Sequence, residues 1–158
     1  MFKIGDKVVY PMHGAGIIEA IEEKEVLGDK RSYYIMKMPF GNMKLMVPID
    51  NVNENGLRQV VNPEEVIRVI SILQDNDNSM SANWNRRYRA NMEKIKSGNI
   101  YEVAEVVRNL SLRDREKGLS TGERKMLENA RQILISELVL AKEEKEDSIK
   151  NMLEELFA

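Results

Sequence analysis

Cysteine is absent from the 158 residues and histidine occurs once. Without a thiol there is no disulfide, no thiolate nucleophile and no thiolate metal site, and one imidazole cannot build a His/Cys zinc centre from a single chain. No metal and no cofactor are expected. Long apolar runs are also missing, and the opening MFKIGDKVVYPM meets charge and turn residues within its first six positions. Neither a spanning helix nor a signal peptide is therefore expected, and the reading is a soluble, cytoplasmic protein with no membrane partner. Glycine (9) and proline (4) are sparse, while hydrophobic residues make up 42% and charged residues 32%. That balance excludes a disordered or collagen-like chain and leaves enough apolar material for a core. The length suits one ordinary domain or two small ones and is too short for a large barrel or doubly wound enzyme.

The formal net charge is only −2, yet charge is unevenly placed. Residues 1–81 hold 9 Lys and Arg against 12 Asp and Glu, residues 82–131 hold 12 against 7, and residues 132–158 hold 3 against 7. Counterion release depends on the cations that face phosphates, so the middle block is able to bind nucleic acid although the whole chain is acidic. Charge alone fits equally well with solvated helix faces.

The first 60 residues carry β-type segments at Lys7–Tyr10, Gly16–Leu27, Ser32–Pro39 and Lys44–Ile49, separated by turn signals at His13-Gly14-Ala15-Gly16, Gly28-Asp29-Lys30 and Phe40-Gly41-Asn42. Strands this short need to curl to keep an apolar face dry, which predicts a small SH3-like or Tudor-like β-barrel. At Asn62-Pro63-Glu64-Glu65 the pattern changes to helix, with a cap, a first-turn proline and an apolar stripe through Val66, Ile67, Val69, Ile70 and Leu73. The expected class is α+β, with an N-terminal barrel domain over residues 1–61 and an all-α C-terminal domain over 62–158. Gln74–Ser81 is polar and reads as a linker, with relative motion expected there. Further helices are expected from Ser81 or Asn83 to Lys96, from Asn99 to about Arg115, from the capping box Ser120-x-x-Glu123 through Ala141, and from Asp147 to Phe157.

Trp84, the single tryptophan, stands beside Arg86, Arg87 and Arg89 in the basic block. A large ring flanked by cations suits a wedge against a base step, usually from the minor groove, or a stack on an unpaired base. The same residues suit a packing anchor with solvated arginines. Tyr88, Met92 and Ile95 share a helical face expected to point inward. Arg124 and Lys125 fall in the first turn of a helix, where the dipole disfavours cations unless an anion is bound, so they are candidate phosphate contacts; Arg113, Arg115 and Lys117 form a weaker case.

Catalytic signals are thin. His13-Gly14-x-Gly16 lacks the remaining elements of a dinucleotide loop, and His13 is expected to be a turn residue bonded to backbone. The pairs Glu64-Glu65, Glu143-Glu144 and Glu154-Glu155 occupy adjacent helical positions, which do not face one another. An enzyme is not expected.

Three segments carry a resemblance: Lys3-x-Gly5-Asp6-x-Val8-Val9-Tyr10-Pro11-x-His13-Gly14, then Asn83-Trp84-x-Arg86-Arg87-Tyr88-Arg89-Ala90-Asn91, then Gly118-Leu119-Ser120-x-Gly122-Glu123. Together they resemble the CarD/CdnL family of bacterial transcription regulators over nearly the whole chain. The first segment is also similar to the RNA polymerase-interacting domain of transcription-repair coupling factors. The resemblance implies a Tudor-like domain that docks on the RNA polymerase β subunit and a helical domain that contacts promoter DNA at the upstream edge of the transcription bubble, stabilising the open complex. It places Trp84 at the minor-groove wedge, Arg89 and Arg124 at DNA contacts, and Arg86 and Arg87 beside the wedge. On the polymerase side, Lys24 and Met46 fall where better-known relatives carry arginines, so one of two cationic contacts is replaced by a thioether. Main-chain pairing along the edge at Lys24, Glu25 and Val26 is the expected docking mode. A monomer is expected. The alternative is a protein–protein adaptor with Trp84 buried and no DNA contact.

Overall fold

The computed structural model describes residues 1–51, 56–76 and 80–157. Five strands, β1 (Lys7–Tyr10), β2 (Gly14–Val26), β3 (Asp29–Lys37), β4 (Lys44–Pro48) and β5 (Arg58–Gln59), form one antiparallel sheet in the order β4-β3-β2-β1-β5. Five helices follow: α1 (Pro63–Gln74), α2 (Trp84–Lys96), α3 (Ile100–Lys117), α4 (Thr121–Lys142) and α5 (Glu146–Leu156). The sheet curls, because Val47 on one edge strand and Leu57 beside the other join a single buried cluster with Val8, Ile18, Tyr34, Met36 and Met38. A register shift between Ile18 and Ala20 bends β2 at the point where its partnership with β1 ends. This is the expected Tudor-like barrel followed by a helical domain. β2 and β3 then run on together from Glu23 to Ser32 as a two-stranded arm beyond the end of β4.

The helices begin where local chemistry permits. Asn62 and Glu65 form a reciprocal capping box on α1, and the side chains of Asn83, Asn99 and Ser120 cap α2, α3 and α4. One apolar cluster, including Val66, Val69, Leu73, Ile95, Val106, Leu110, Leu134 and Ile149, draws on all five helices. The predicted linker at 74–81 therefore lies between α1 and α2 within one core, so it does not separate two moving bodies. Its residues 77–79 lie outside the described residues.

The junction of barrel and helices is instead a packed seam. Val8 faces the barrel interior, while its neighbour Val9 turns the other way and meets Ala15, Val60 and Leu140. The Ala15 N–H donates to the Ser136 hydroxyl at 2.8 Å. Gly14, at φ +110°, passes so near α4 that a Cβ there would lie 2.7 Å from Ser136 Oγ. At the centre of the seam Glu137, 1% exposed, takes both Arg58 guanidinium nitrogens at 2.7 Å and the Val61 N–H at 3.0 Å. Arg58 also donates to the Gly98 carbonyl at 2.8 Å, tying in the turn between α2 and α3. Removing one member of such a buried pair strands the other without its counter-charge. Glu137→Ala is expected to destabilise the protein by about 3–5 kcal/mol, read as a lowered midpoint of urea unfolding; an unchanged midpoint would mean the seam contributes little.

Candidate functional site

The basic block gathers at one end of the helical domain because the chain turns back twice there. The N-terminus of α2, the C-terminus of α3 and the N-terminus of α4 carry Arg86 and Arg89, Arg113 to Lys117, and Arg124 and Lys125 respectively. Trp84 opens α2 and keeps 42% of its surface exposed. Its ring stacks on Tyr88, one helical turn on, with centroids 5.0 Å apart and planes inclined by 19°. The indole N–H donates to the Ser120 hydroxyl at 3.0 Å. Gly122 lies beneath the pair, where an added methyl would stand 3.6 Å from Trp84 Cζ2 and 3.8 Å from Tyr88 Cε2. The Trp-Asn-Arg-Arg-Tyr and Gly-Leu-Ser-x-Gly-Glu segments thus build one platform, an aromatic ring stacked on Tyr88, held at its N–H edge and open to solvent on the remainder.

Arg87 requires a correction. Expected among the phosphate contacts, it is 3% exposed and points into the protein. Its Nε donates to Glu123 Oε2 at 2.7 Å and its Nη2 to Glu123 Oε1 at 3.2 Å, while Nη1 donates to the Ser81 and Ala82 carbonyls at 3.2 and 3.3 Å. The cause is helical phase: Arg87, Asn91 and Ile95 are the buried stripe of α2, and Tyr88 and Met92, expected to be innermost, are half-buried on its flank. Arg87 is a positioning residue. Glu123, at N3 of α4, donates its N–H to the Ser120 hydroxyl at 3.2 Å, and its carboxylate accepts from Arg87 and from the Ser120 hydroxyl.

Arg86, Arg89, Arg124 and Lys125 are exposed, and none forms an ion pair among the described residues. Their guanidinium and ammonium groups are free to meet an anion beside the ring. Sequence reasoning missed the roles of Ser120 as indole acceptor and of Glu123 as the Arg87 counter-ion. A glutamate on the inward stripe of a helix start was the available signal for Glu123.

The other candidate residues lie on the projecting arm and β4. Lys24, Val26 and Met46 share one face of the sheet by register, since Lys24 pairs with Arg31, Val26 with Asp29, and Met46 with Ile35, which in turn pairs with Ala20. Glu25 pairs with Lys30 and points to the opposite face. Lys24 lies 3.6 Å from Glu22, an exposed contact. Among the described residues no strand covers the outer edge of β2 beyond Ile18, and Ile21, Val26 and Leu27 are exposed by 46%, 52% and 100%. His13 is exposed and stacked on Tyr10 at 4.5 Å, with its N–H donating to the Tyr10 carbonyl at 2.9 Å. Among the described residues there is no cluster of three or more His, Asp or Glu side chains suited to a metal, and no helix is long and apolar enough to cross a membrane.

Fold and site define a two-part α+β protein: a Tudor-like barrel riveted to a helical domain that presents an aromatic ring among free cations. Residues 2–61 match the family model of the CarD-like/TRCF RID domain, and residues 68–154 match that of the CarD C-terminal domain. The chain is 46% identical over 151 residues to "Putative transcription factor YdeB" of Bacillus subtilis (strain 168), covering 96% of this chain and 99% of that protein. A solution NMR structure of the 72-residue N-terminal domain of Myxococcus xanthus CarD is 36% identical and covers 37% of this chain and 79% of that one, at a TM-score of 0.33, too low to carry an argument. The chain belongs to the CarD-like transcription factor family.

The Arg87–Glu123 pair gives the platform a pH dependence. The hydrogen bond from Arg87, helped by its charge and by Ser120, holds the Glu123 carboxyl below the usual carboxylate range against the opposing effect of burial. A lowered folded pKa means stabilisation that is complete above the unfolded value of about 4.3 and lost as pH falls through the folded value. Glu123→Gln is expected to be less stable than the parent at neutral pH, and the gap should close on acidification below pH of about 4, followed by Trp84 fluorescence during unfolding. A gap independent of pH would show that the charge on Glu123 is not what matters.

Proposed function

We propose that this chain binds RNA polymerase and promoter DNA together and stabilises the open promoter complex, with Trp84 as a wedge at the upstream fork. The observation that carries the reading is the exposed, pre-oriented Trp84 ring, braced by Tyr88 and Ser120, at the end of the helical domain where Arg86, Arg89, Arg124 and Lys125 are exposed. A ring partly open to solvent and edged by unpaired cations offers a stacking surface to a base and phosphate contacts on either side. It departs from the adaptor reading, which has Trp84 buried. Membership of a transcription factor family supports the same reading, and the model named CarD-like/TRCF RID over residues 2–61 supports a docking role for the barrel. The reading makes the protein a binding factor without catalysis, acting in the cytoplasm on the nucleoid, as a monomer built of the two domains 1–61 and 62–158.

The mechanism is linkage. A factor that binds the opened promoter more tightly than the closed one shifts the equilibrium by that difference in affinity. Stacking by one aromatic side chain contributes about 1–3 kcal/mol, which corresponds to a roughly five- to 150-fold change in a small open population. Trp84→Ala is expected to shorten the open-complex lifetime by a factor in that range while polymerase binding is kept; an unaltered lifetime removes the wedge.

The polymerase β subunit meets the arm of β2 and β3 and the adjoining face of β4. The free outer edge of β2 at Lys24, Glu25 and Val26 supplies main-chain hydrogen-bonding groups for strand addition, and Lys24, Val26 and Met46 supply side chains on one face. Met46 is 46% exposed, so Met46→Glu is expected to leave the fold and DNA binding intact while weakening affinity for core polymerase. Unchanged affinity in a pull-down or binding isotherm would move the docking surface elsewhere.

A further inference from the structure

The arm of β2 and β3 reverses in two residues. Val26 pairs with Asp29, so Leu27 and Gly28 alone make the turn, and both take positive φ, +53° and +85°. Positive φ at both central positions is the pattern of the type I′ hairpin turn, which follows the right-handed twist of the strands and favours Asn-Gly, Asp-Gly or Gly-Gly. Gly28 fits that pattern. Leu27 does not, because a Cβ in the left-handed region crowds the following carbonyl oxygen, and leucine has no polar group with which to bond its own backbone. Leu27 is also 100% exposed, so no packing within the protein offsets the strain. The two other non-glycine residues with positive φ among the described residues differ: the Glu143 carboxylate meets Lys7 at 3.0 Å, and Met12 is more than half covered. Behind the tip the arm is guarded by charge, with Glu23, Lys24, Glu25, Asp29, Lys30 and Arg31 all exposed, which is how natural strand edges resist pairing with other chains. The guard is broken only at Val26 and Leu27. From Glu23 the tip stands four residues out, about 13 Å at 3.3 Å per residue.

We propose that Leu27 is an apolar anchor for the RNA polymerase β subunit, entering an apolar recess beside the sheet edge that the arm extends. Strained backbone persists where something over-determines it. The turn does not require leucine, since asparagine would make it better, and the core does not touch Leu27. The contact rests on the docking role proposed above and deepens it, because Leu27 continues the surface assigned there: Lys24 and Val26 lie three and one residues before it on one face of the arm, and Met46 lies on the same face nearer the barrel. Main-chain pairing along Lys24, Glu25 and Val26 would give affinity for any open sheet edge, whereas a side chain seated in a recess gives selectivity for one. The two-residue turn also orders the tip in advance, so little backbone freedom is lost on docking.

The test uses the full chain and reads stability and binding on the same variants. Leu27→Asn is expected to raise the midpoint of urea unfolding, because Asn-Gly is a preferred type I′ pair, and yet to weaken affinity for core RNA polymerase by about tenfold or more. A variant more stable than the parent has not lost binding through misfolding. Leu27→Met, which keeps an apolar side chain, is expected to retain most of the affinity. Ile67→Gln, which removes a 70% exposed apolar residue from α1, is expected to leave it unchanged. A lowered midpoint for Leu27→Asn would show the turn unstrained and overturn the assignment. Full affinity in Leu27→Asn while Met46→Glu binds less tightly overturns the anchor and keeps the docking face; full affinity in both, or a parent without affinity for core polymerase, overturns anchor and docking face together. Self-association of the parent in sedimentation, abolished by Leu27→Asn with polymerase affinity unaltered, would assign the tip to a second copy of this chain and overturn the proposal.

Discussion

Helix α4 buries two carboxylates, and the rest of the molecule is arranged around them. Glu123 lies at its start and Glu137 fourteen positions later, about 21 Å apart at 1.5 Å per residue. Each accepts a two-pronged arginine: Arg87 from α2 at one end, Arg58 from β5 at the other. Glu123 thereby fixes the stretch that carries Trp84, and Glu137 fixes the barrel. Planar guanidinium and carboxylate groups meeting through two bonds define direction as well as distance, which a single point contact would not. One straight helix consequently sets the separation between the barrel and the aromatic platform.

The same constraint explains why neighbouring arginines in one motif do different work. Successive helical residues are rotated by about 100°, so Arg86 and Arg87 cannot face the same phosphate. Arg86 and Arg89, three apart, share the exposed side of α2, while Arg87 turns inward to Glu123. Burying Arg87 without Glu123 would carry a large desolvation penalty, and burying Glu123 without Arg87 would carry the same. Neither is a substitute for an apolar residue; the pair is tolerated as a unit that aims α2 relative to α4.

Much of this was legible in the residues themselves. The strand Lys7–Tyr10 was located at its observed ends, the caps Asn62, Asn99 and Ser120 marked three helix starts, and Asn83 was one of two candidates for a fourth, because both signals are local: a turn residue next to an alternating or three-to-four apolar pattern. The inward course of Arg87 was not read, although Ile95 and Asn91 share its phase. An arginine ordinarily faces solvent, and the counter-ion sits thirty-six positions away, where nothing in a local window reports it. Glu123 and Glu137 in the apolar stripe of α4 were the clue, since an acid within such a stripe requires a buried cation. The segment 74–81 misled in the opposite direction. Its polarity shows that the segment has little to bury, but it says nothing about whether Leu73 before it and Val106 after it meet in one core, as they do.

Rigidity matters most for a factor whose stacking contribution is small. Ordering a side chain on binding costs about 0.5–1.5 kcal/mol, comparable to the lower end of what one aromatic stack supplies. Trp84 avoids part of that cost because the Tyr88 ring and the Ser120 hydroxyl already restrict it, and Ser120 is itself held by the Glu123 N–H and carboxylate. The chain of restraint runs on through Arg87 to the Ser81 and Ala82 carbonyls, the very residues that lead into α2. A freely rotating indole would surrender most of its stacking energy to entropy before any difference between open and closed DNA was felt. A braced one can spend it on discrimination.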